Sequence, residues 1–170
     1  MTRLSKAWLG FGMAVLLVLV WGIGWGVFTH VRMDGYVSDV LPVGHIWTDP
    51  ASGTTYEVLK TETHIRIERG TLSTSAPDGA VYLFVQMRRA NLTETSLCSF
   101  NLVGPDRVMW SVDTGTLPEE YPFCSNRDQT TEYWMSYLIP ESMLDQLVGV
   151  THHYMQWRHN PALALPTPSN

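Results

Sequence analysis

Hydrophobic and polar positions divide the chain into one uninterrupted apolar run followed by short alternating stretches. Residues 7–29 (AWLGFGMAVLLVLVWGIGWGVFT) are 23 consecutive residues without a charged side chain. A helix of that length rises about 34 Å, enough to cross a hydrocarbon core of about 30 Å. The run predicts a transmembrane helix, because a helix pairs its backbone amides internally in lipid.

The run is longer than the apolar part of a cleaved signal peptide, which has about 7–15 residues. Gly24 and Gly26 satisfy a small-residue rule for cleavage, so a cleaved helix and a soluble mature domain stay open as an alternative. Arg3 and Lys6 precede the run, and the positive-inside rule then predicts a cytoplasmic tail at residues 1–6. The expected location is the cell membrane, single-pass, with the C-terminal domain on the extracytoplasmic (periplasmic) side.

Gly22 and Gly26 lie four residues apart in the predicted helix and share one face. Small residues at this spacing let two membrane helices approach closely. They predict packing against a transmembrane helix of another protein, with lipid-facing glycines as the alternative.

Three further segments follow the apolar run. Residues 30–44 have no helical period and contain Gly35, Pro42 and Gly44, which predicts a stalk. Alternating patterns over residues 45–158 predict the folded domain. Residues 159–170, with three prolines, predict a frayed tail.

Period-two alternation defines the expected strands of that domain. The clearest is residues 79–90 (GAVYLFVQMRRA), with four apolar side chains on one face: Val81, Leu83, Val85 and Met87. In residues 62–68, a second strand is predicted to bury Thr63, Ile65 and Ile67. Other strands are expected at 96–102, 107–112, 129–139 and 150–158, with a helical turn at 140–147. This spacing predicts an all-β domain, an antiparallel β-sandwich or barrel, after the single N-terminal transmembrane helix.

Charge and motifs exclude several classes of function. Charged residues make up 16% of the chain, against about 25% in an average soluble domain, so neither a disordered chain nor a charge-rich coiled coil fits. The net charge of −5 and the lack of a basic run disfavour nucleic acid as a partner. The sequence contains no nucleophile elbow, H-E-x-x-H motif or P-loop, so we expect no enzyme. Two lysines against nine arginines are typical of a GC-rich bacterial genome.

The segment GAVYLFVQMRRANLTE and the later LIPE, at residues 138–141, resemble the DUF4352-type, immunoglobulin-like extracellular domains of bacterial surface proteins. The resemblance covers about residues 44–158. It implies a sandwich fold and a non-catalytic, surface-exposed role, and it transfers no site residues. The chain departs from these domains in lacking the lipobox cysteine that many of them carry and in its high aromatic content.

Cys98 and Cys124 are the two cysteines of the chain. An exported domain lies in an oxidising compartment, where an even number of cysteines favours a disulfide. We therefore predict a Cys98–Cys124 disulfide, which fastens the loop carrying Glu119 and Glu120 to the sheet. Free thiols and a two-cysteine metal site are the alternatives.

His153, Met155 and His159 are the best candidates for metal ligands. Imidazole and thioether groups suit copper. His152 and His153 point to opposite faces of a strand and cannot chelate one ion without a bulge. The simpler interpretation is one solvated and one packed histidine, so we expect no cofactor.

Asn91-Leu92-Thr93 is a formal N-glycosylation sequon at a predicted turn, and its use depends on the host. The domain is also rich in large aromatic side chains, including Trp47, Trp110, Trp134 and Trp157. They predict either a large aromatic core or an exposed docking patch.

Together these features predict a non-catalytic, membrane-anchored accessory subunit. Its partners are expected to be the lipid bilayer and the transmembrane helices of a larger membrane complex. The alternative function is a surface-displayed module that binds a small ligand or copper.

Overall fold

The computed structural model of the protein describes residues 12–23, 37–113, 115–152 and 160–168. The chain divides into two compact units, residues 1–35 and 36–170. In the first unit, residues 12–23 are helical. Within the described ranges, no helix combines the length and apolarity needed to cross a membrane. The transmembrane helix predicted over residues 7–29 is thus not confirmed, and both of its ends lie outside the described residues.

The second unit is built from β-strands. Its described strands are β1 (Val37–Leu41), β2 (Trp47–Thr48), β3 (Thr55–His64), β4 (Arg66–Arg69), β5 (Leu72–Ser75), β6 (Ala80–Ala90), β7 (Asn101–Val103), β8 (Met109–Trp110), β9 (Glu132–Pro140), β10 (Gly149–Thr151) and β11 (Asn160–Leu163). Two short 3-10 helical turns, Pro105–Arg107 and Glu141–Gln146, lie between strands. The second turn occupies the position of the helical turn predicted after Pro140.

The strands form two main sheets and one hairpin. A four-stranded sheet has the antiparallel order β2-β3-β6-β9, and a five-stranded sheet has the order β1-β11-β10-β7-β8. β4 and β5 pair only with each other. The predicted arrangement of antiparallel sheets in a sandwich is confirmed, with one difference: β1 and β11 are parallel.

The main core lies between the two sheets. Val81, Leu83, Val85 and Met87 of β6 are all buried there, as the alternation predicts. The alternate residues of β9 lie beside them, and the five-stranded sheet contributes apolar side chains from β7, β10 and β11: Leu102, Val150 and Leu163. Burying apolar surface from both sheets is what holds a sandwich together.

A second apolar cluster covers the opposite face of the four-stranded sheet. It contains Tyr82 and Phe84 of β6 and Trp134 of β9, under Ile67 of β4 and Leu117. β6 is therefore buried on both faces over residues 81–85. Most of the described aromatic surplus belongs to these two cores, so it does not form one exposed patch.

Two sequence-based boundaries of the domain are wrong. Residues 37–41, within the predicted stalk, form β1, and residues 160–163, within the predicted tail, form β11. Leu163 is buried in the core, so this pair completes the five-stranded sheet. Pairing between strands that lie more than a hundred residues apart leaves no local pattern in the sequence.

The strand predicted over residues 62–68 is interrupted. β3 ends at His64 and β4 begins at Arg66, where the chain leaves the four-stranded sheet to pair with β5. Ile67 is buried as predicted, but Ile65 is 74% exposed. The strands predicted at 96–102, 107–112 and 150–158 are shorter in the structure, and residues 153–159 lie outside its described part.

Candidate functional site

A β-bulge at Leu59 determines which side chains of β3 lie on the outer face of the four-stranded sheet. Val58 pairs with Met87 of β6, but Lys60 pairs with Gln86, so one residue of β3 is left over between them. An extra residue moves every later side chain to the other face. Lys60, Glu62 and His64 therefore lie on the outer face of the sheet instead of in the main core.

Glu62 is the centre of the polar cluster that this bulge creates. Its carboxylate accepts hydrogen bonds from Lys60 Nζ at 2.6 Å, Tyr121 Oη at 2.8 Å and His64 Nε2 at 3.2 Å. Burial raises the pKa of Glu62, but the hydrogen bonds from the three donors outweigh it and hold the pKa below its usual value. Burial and the neighbouring Glu62 carboxylate raise the pKa of Tyr121 to about 12.

Aromatic rings pack in a continuous row beneath this carboxylate. The His64 ring stacks on Phe84 at 4.7 Å between ring centroids, and Tyr121 stacks on Trp134 at 4.6 Å. Phe84 and Tyr121 meet edge to face at 5.7 Å. The hydrogen bond from Tyr121 Oη to the Glu62 carboxylate therefore fastens the Tyr121 loop to the sheet.

The predicted disulfide between Cys98 and Cys124 is confirmed, with the two Cα atoms 5.4 Å apart. It ties the segment before β7 to the loop before β9, the loop predicted from the sequence to be fastened. Both cysteines are half-buried, and Phe123, beside the second one, is 65% exposed. The bridge is therefore half-buried, and its Cys124 end packs against the main core.

Arg89 lies against this disulfide and is 1% exposed. Its guanidinium donates hydrogen bonds to Thr130 O at 2.5 Å, Ser125 O at 2.7 Å and Asn126 Oδ1 at 2.6 Å. Nη1 is also 3.3 Å from Cys98 Sγ. In the described part of the chain, none of the groups bonded to this cation is a carboxylate.

Two features surround the Arg89 side chain. Its Cζ lies 5.7 Å from the centre of the Tyr133 ring, whose buried hydroxyl has no hydrogen-bond partner among the described residues. Arg89 also lines an open depression of about 250 Å³. Its lining consists of Arg89, Leu92, Thr93, Glu94, Asn126 and Gln129.

Sequence reasoning missed Arg89 as a functional candidate. The signal was present, since period-two alternation along β6 puts Arg89 on the same face as Val85 and Met87. A charged residue at an inward position of a strand indicates a buried cation that needs partners.

The β4–β5 hairpin presents the most exposed aliphatic side chains of the second unit. Ile65, just before β4, is 74% exposed, and Leu72, at the start of β5, is 71% exposed. Ile67 lies between them along the hairpin and is buried in the second core. Arg66, Glu68 and Arg69 are exposed on the same hairpin, and Arg66 Nε lies 3.8 Å from Glu68 Oε1, so its surface carries apolar groups and charges of both signs.

The other predicted site residues lie mostly outside the described part of the chain. Gly22 is in the helical stretch 12–23, with nothing within 4 Å of a Cβ built on it, but Gly26 falls outside. The metal candidates His153, Met155 and His159 also fall outside, and the described residues contain no group of three metal-ligating side chains. Asn91 is exposed at a left-handed turn position, with φ 57°.

Comparisons of the chain with models of protein families, with curated proteins and with solved structures give no match. The resemblance to DUF4352-type domains stays a prediction.

Proposed function

We propose that the chain is a non-catalytic, membrane-anchored accessory subunit whose β-sandwich contacts a larger membrane assembly on the extracytoplasmic side. In this proposal the apolar run at residues 7–29 is the anchor, with Gly22 and Gly26 on its packing face. The domain is of the immunoglobulin-like class suggested by the resemblance. The disulfide supports an oxidising location, because such bonds persist mainly outside the cytosol.

The observation that carries the proposal is the exposed surface of the β4–β5 hairpin. Ile65 and Leu72 keep about three quarters of their surface in water although Ile67 between them is buried. Single exposed aliphatic groups are common, but two on one hairpin among exposed charged side chains favour a contact surface. We assign the contact with the partner assembly to this hairpin.

The polar clusters support a role without catalysis. Glu62 already accepts three hydrogen bonds, and Arg89 is buried with its donors directed to oxygen atoms of one loop. Both groups fasten loops to the four-stranded sheet. Neither combination resembles a nucleophile with an adjacent base.

Site-specific cross-linking tests the proposed function. A photoreactive amino acid replaces Ile65 or Leu72 in the full chain within its native membrane, with Ser73 as the matched control. Ser73 is exposed on the same hairpin but pairs with Glu68 on its other face. We expect the two aliphatic positions, and not Ser73, to give one defined membrane-protein adduct.

A second measurement ties that adduct to assembly. The double variant Ile65→Ser/Leu72→Ser should keep the thermal stability of the domain and lose stoichiometric co-purification of the same partner in mild detergent. Recovery of a partner-free monomer from the unchanged chain, or equal cross-linking from all three positions, contradicts the proposed function.

A further inference from the structure

We propose that Cys98–Cys124 is a thiol–disulfide exchange site for a dithiol reductant, in which Arg89 stabilises Cys98 as the leaving thiolate and Cys124 is the sulfur attacked. The inference does not depend on the membrane partner proposed above. It rests on the position of one buried cation beside one sulfur of an accessible disulfide.

The electrostatic argument begins with Arg89. Its guanidinium is 1% exposed, and its hydrogen-bond acceptors within the described residues are two carbonyl oxygens, one amide oxygen and Cys98 Sγ. Burying a cation without an anionic partner is unfavourable. Reduction of the disulfide creates that partner, because a Cys98 thiolate forms 3.3 Å from Nη1.

The same contact distinguishes the two sulfurs chemically. A thiolate beside an arginine has a depressed pKa, and the thiol of lower pKa is the better leaving group in exchange. In the described structure only Cys98 Sγ of the two sulfurs lies within hydrogen-bond distance of the guanidinium. An attacking thiolate is therefore directed to Cys124 Sγ.

Access from solvent does not distinguish the two sulfurs, because both cysteines are half-buried. Cys124 is half-buried and follows Phe123, which is 65% exposed. An exposed aromatic ring next to a disulfide offers an apolar contact for the reductant. Arg89 and Asn126, which both lie within 3.4 Å of Cys98 Sγ, also line an open depression.

The exchange balances as a two-electron transfer. A thiolate of the dithiol attacks Cys124 Sγ, the S–S electron pair moves to Cys98 Sγ, and a mixed disulfide forms at Cys124. The second thiolate of the reductant attacks its own sulfur in that mixed disulfide and expels the Cys124 thiolate. The reductant ends as a disulfide; one of its two protons goes to Cys124 and the other to solvent, while Cys98 remains a thiolate.

The structure also explains why the reduced pair would close again. Arg89 holds the loop after Cys124 through Ser125 O and Thr130 O, and its backbone N–H donates to Thr131 O at 2.7 Å. These bonds do not depend on the disulfide. Reduction thus leaves both thiols near each other, and the site cycles without unfolding.

The first test measures each thiol in the full chain. Cys124→Ser leaves Cys98 alone, and Cys98→Ser leaves Cys124 alone, so ultraviolet thiolate absorbance against pH gives one pKa for each. We expect Cys98 to titrate well below the ordinary thiol value of about 8.5 and Cys124 close to it. Equal values for the two thiols, or a Cys98 value at or above 8.5, overturn the proposal.

The second test measures the redox equilibrium in glutathione buffers. We expect Arg89→Gln to make reduction of the disulfide at least tenfold less favourable, which is about 30 mV for this couple, and Arg89→Lys to restore part of the loss. Arg88→Lys, one residue away on the opposite face of β6, is the matched control and should leave the equilibrium unchanged. An unchanged equilibrium in folded Arg89→Gln overturns the role of Arg89.

The third test uses the unmodified chain, so it holds even if the Arg89 variants fail to fold. A dithiol oxidoreductase that lacks its resolving cysteine should be trapped as a mixed disulfide at Cys124. Peptide mass mapping identifies the trapped sulfur. An adduct at Cys98, or no adduct under conditions that reduce an ordinary exposed disulfide, contradicts the proposal.

Discussion

The Tyr121 hydroxyl donates a hydrogen bond to the Glu62 carboxylate at 2.8 Å and thereby joins two parts of the chain that lie 59 residues apart. The Tyr121 ring also covers Trp134 and Phe84. One side chain thus closes the second core with its ring and anchors it with its hydroxyl. The polar and apolar contacts of this loop can be separated by mutation.

Replacing Tyr121 with phenylalanine removes the hydroxyl and keeps the ring. We expect the free energy of unfolding to fall by about 1–2 kcal/mol, since the lost bond is to a charged, partly buried acceptor. Urea denaturation followed by tryptophan fluorescence measures the change. Tyr82→Phe is the control, because its ring lies in the same cluster and its hydroxyl has no hydrogen bond to a described residue. Equal losses in both variants contradict this role for the hydroxyl.

The Glu62 cluster also predicts how stability depends on pH. The pKa of Glu62 is lowered in the folded state, so the unfolded chain takes up the proton first as pH falls. The stabilisation is fully present above the unfolded value of about 4.3 and is lost as the pH falls through the folded pKa. Unfolding free energies of the unchanged chain and Glu62→Gln should therefore differ at pH 7, and the difference should shrink as the pH falls below the unfolded value and through the lowered folded pKa. A difference that does not shrink as the chain is acidified until it unfolds rules out this linkage.

Local patterns in the sequence predict the structure correctly where neighbouring residues determine it. The alternation in residues 79–90 predicts both the extent of β6 and its inward face, and the cysteine count predicts the disulfide. At Ile65, by contrast, the alternation of polar and apolar residues continues although the chain changes its partner strand from β6 to β5. The change of partner leaves no signal in the polarity of the side chains, so the exposure of Ile65 could not be predicted.

Long-range strand pairing and a buried charge explain the remaining differences between the sequence-based predictions and the structure. β1 and β11 have the composition of a linker and a Pro-containing tail, and they become strands only by pairing with each other across the sequence. The bulge at Leu59 contains no glycine, so the sequence does not predict it, yet the bulge places Glu62 on the outer face. Arg89 sits at an inward position because one loop supplies the oxygen atoms that its guanidinium needs.

The disulfide has a stability role that can be measured apart from its redox chemistry. It closes a loop with a sequence separation of 26 residues, for which chain entropy predicts a stabilisation of about 3 kcal/mol. We expect Cys98→Ser/Cys124→Ser to lose about that amount in urea denaturation while staying folded in water, because Arg89 still holds the loop. A double variant that is unfolded in water shows that Arg89 alone does not hold it.

Gly149 lies where β10 passes close to the backbone of β11 in the five-stranded sheet. A Cβ at this position would lie 2.3 Å from the carbonyl oxygen of Leu163 and 2.8 Å from its carbonyl carbon, both backbone atoms that cannot move aside. Gly149→Ala therefore has to separate β10 from β11, and we expect a loss of about 2–3 kcal/mol. Gly115→Ala is the matched control, since its Cβ would meet only Asp113 Oδ1, at 3.4 Å.

The Gly149 variant also tests whether the C-terminal strand belongs to the folded unit. Because Ala164 N–H donates to Leu41 O and β11 pairs with β1, separating β10 from β11 should loosen both β11 and β1. Amide hydrogen exchange in the variant should rise in residues 37–41 and 160–164 and stay low in β6. Unchanged exchange in those two segments, together with unchanged stability, contradicts the close packing of β10 on β11.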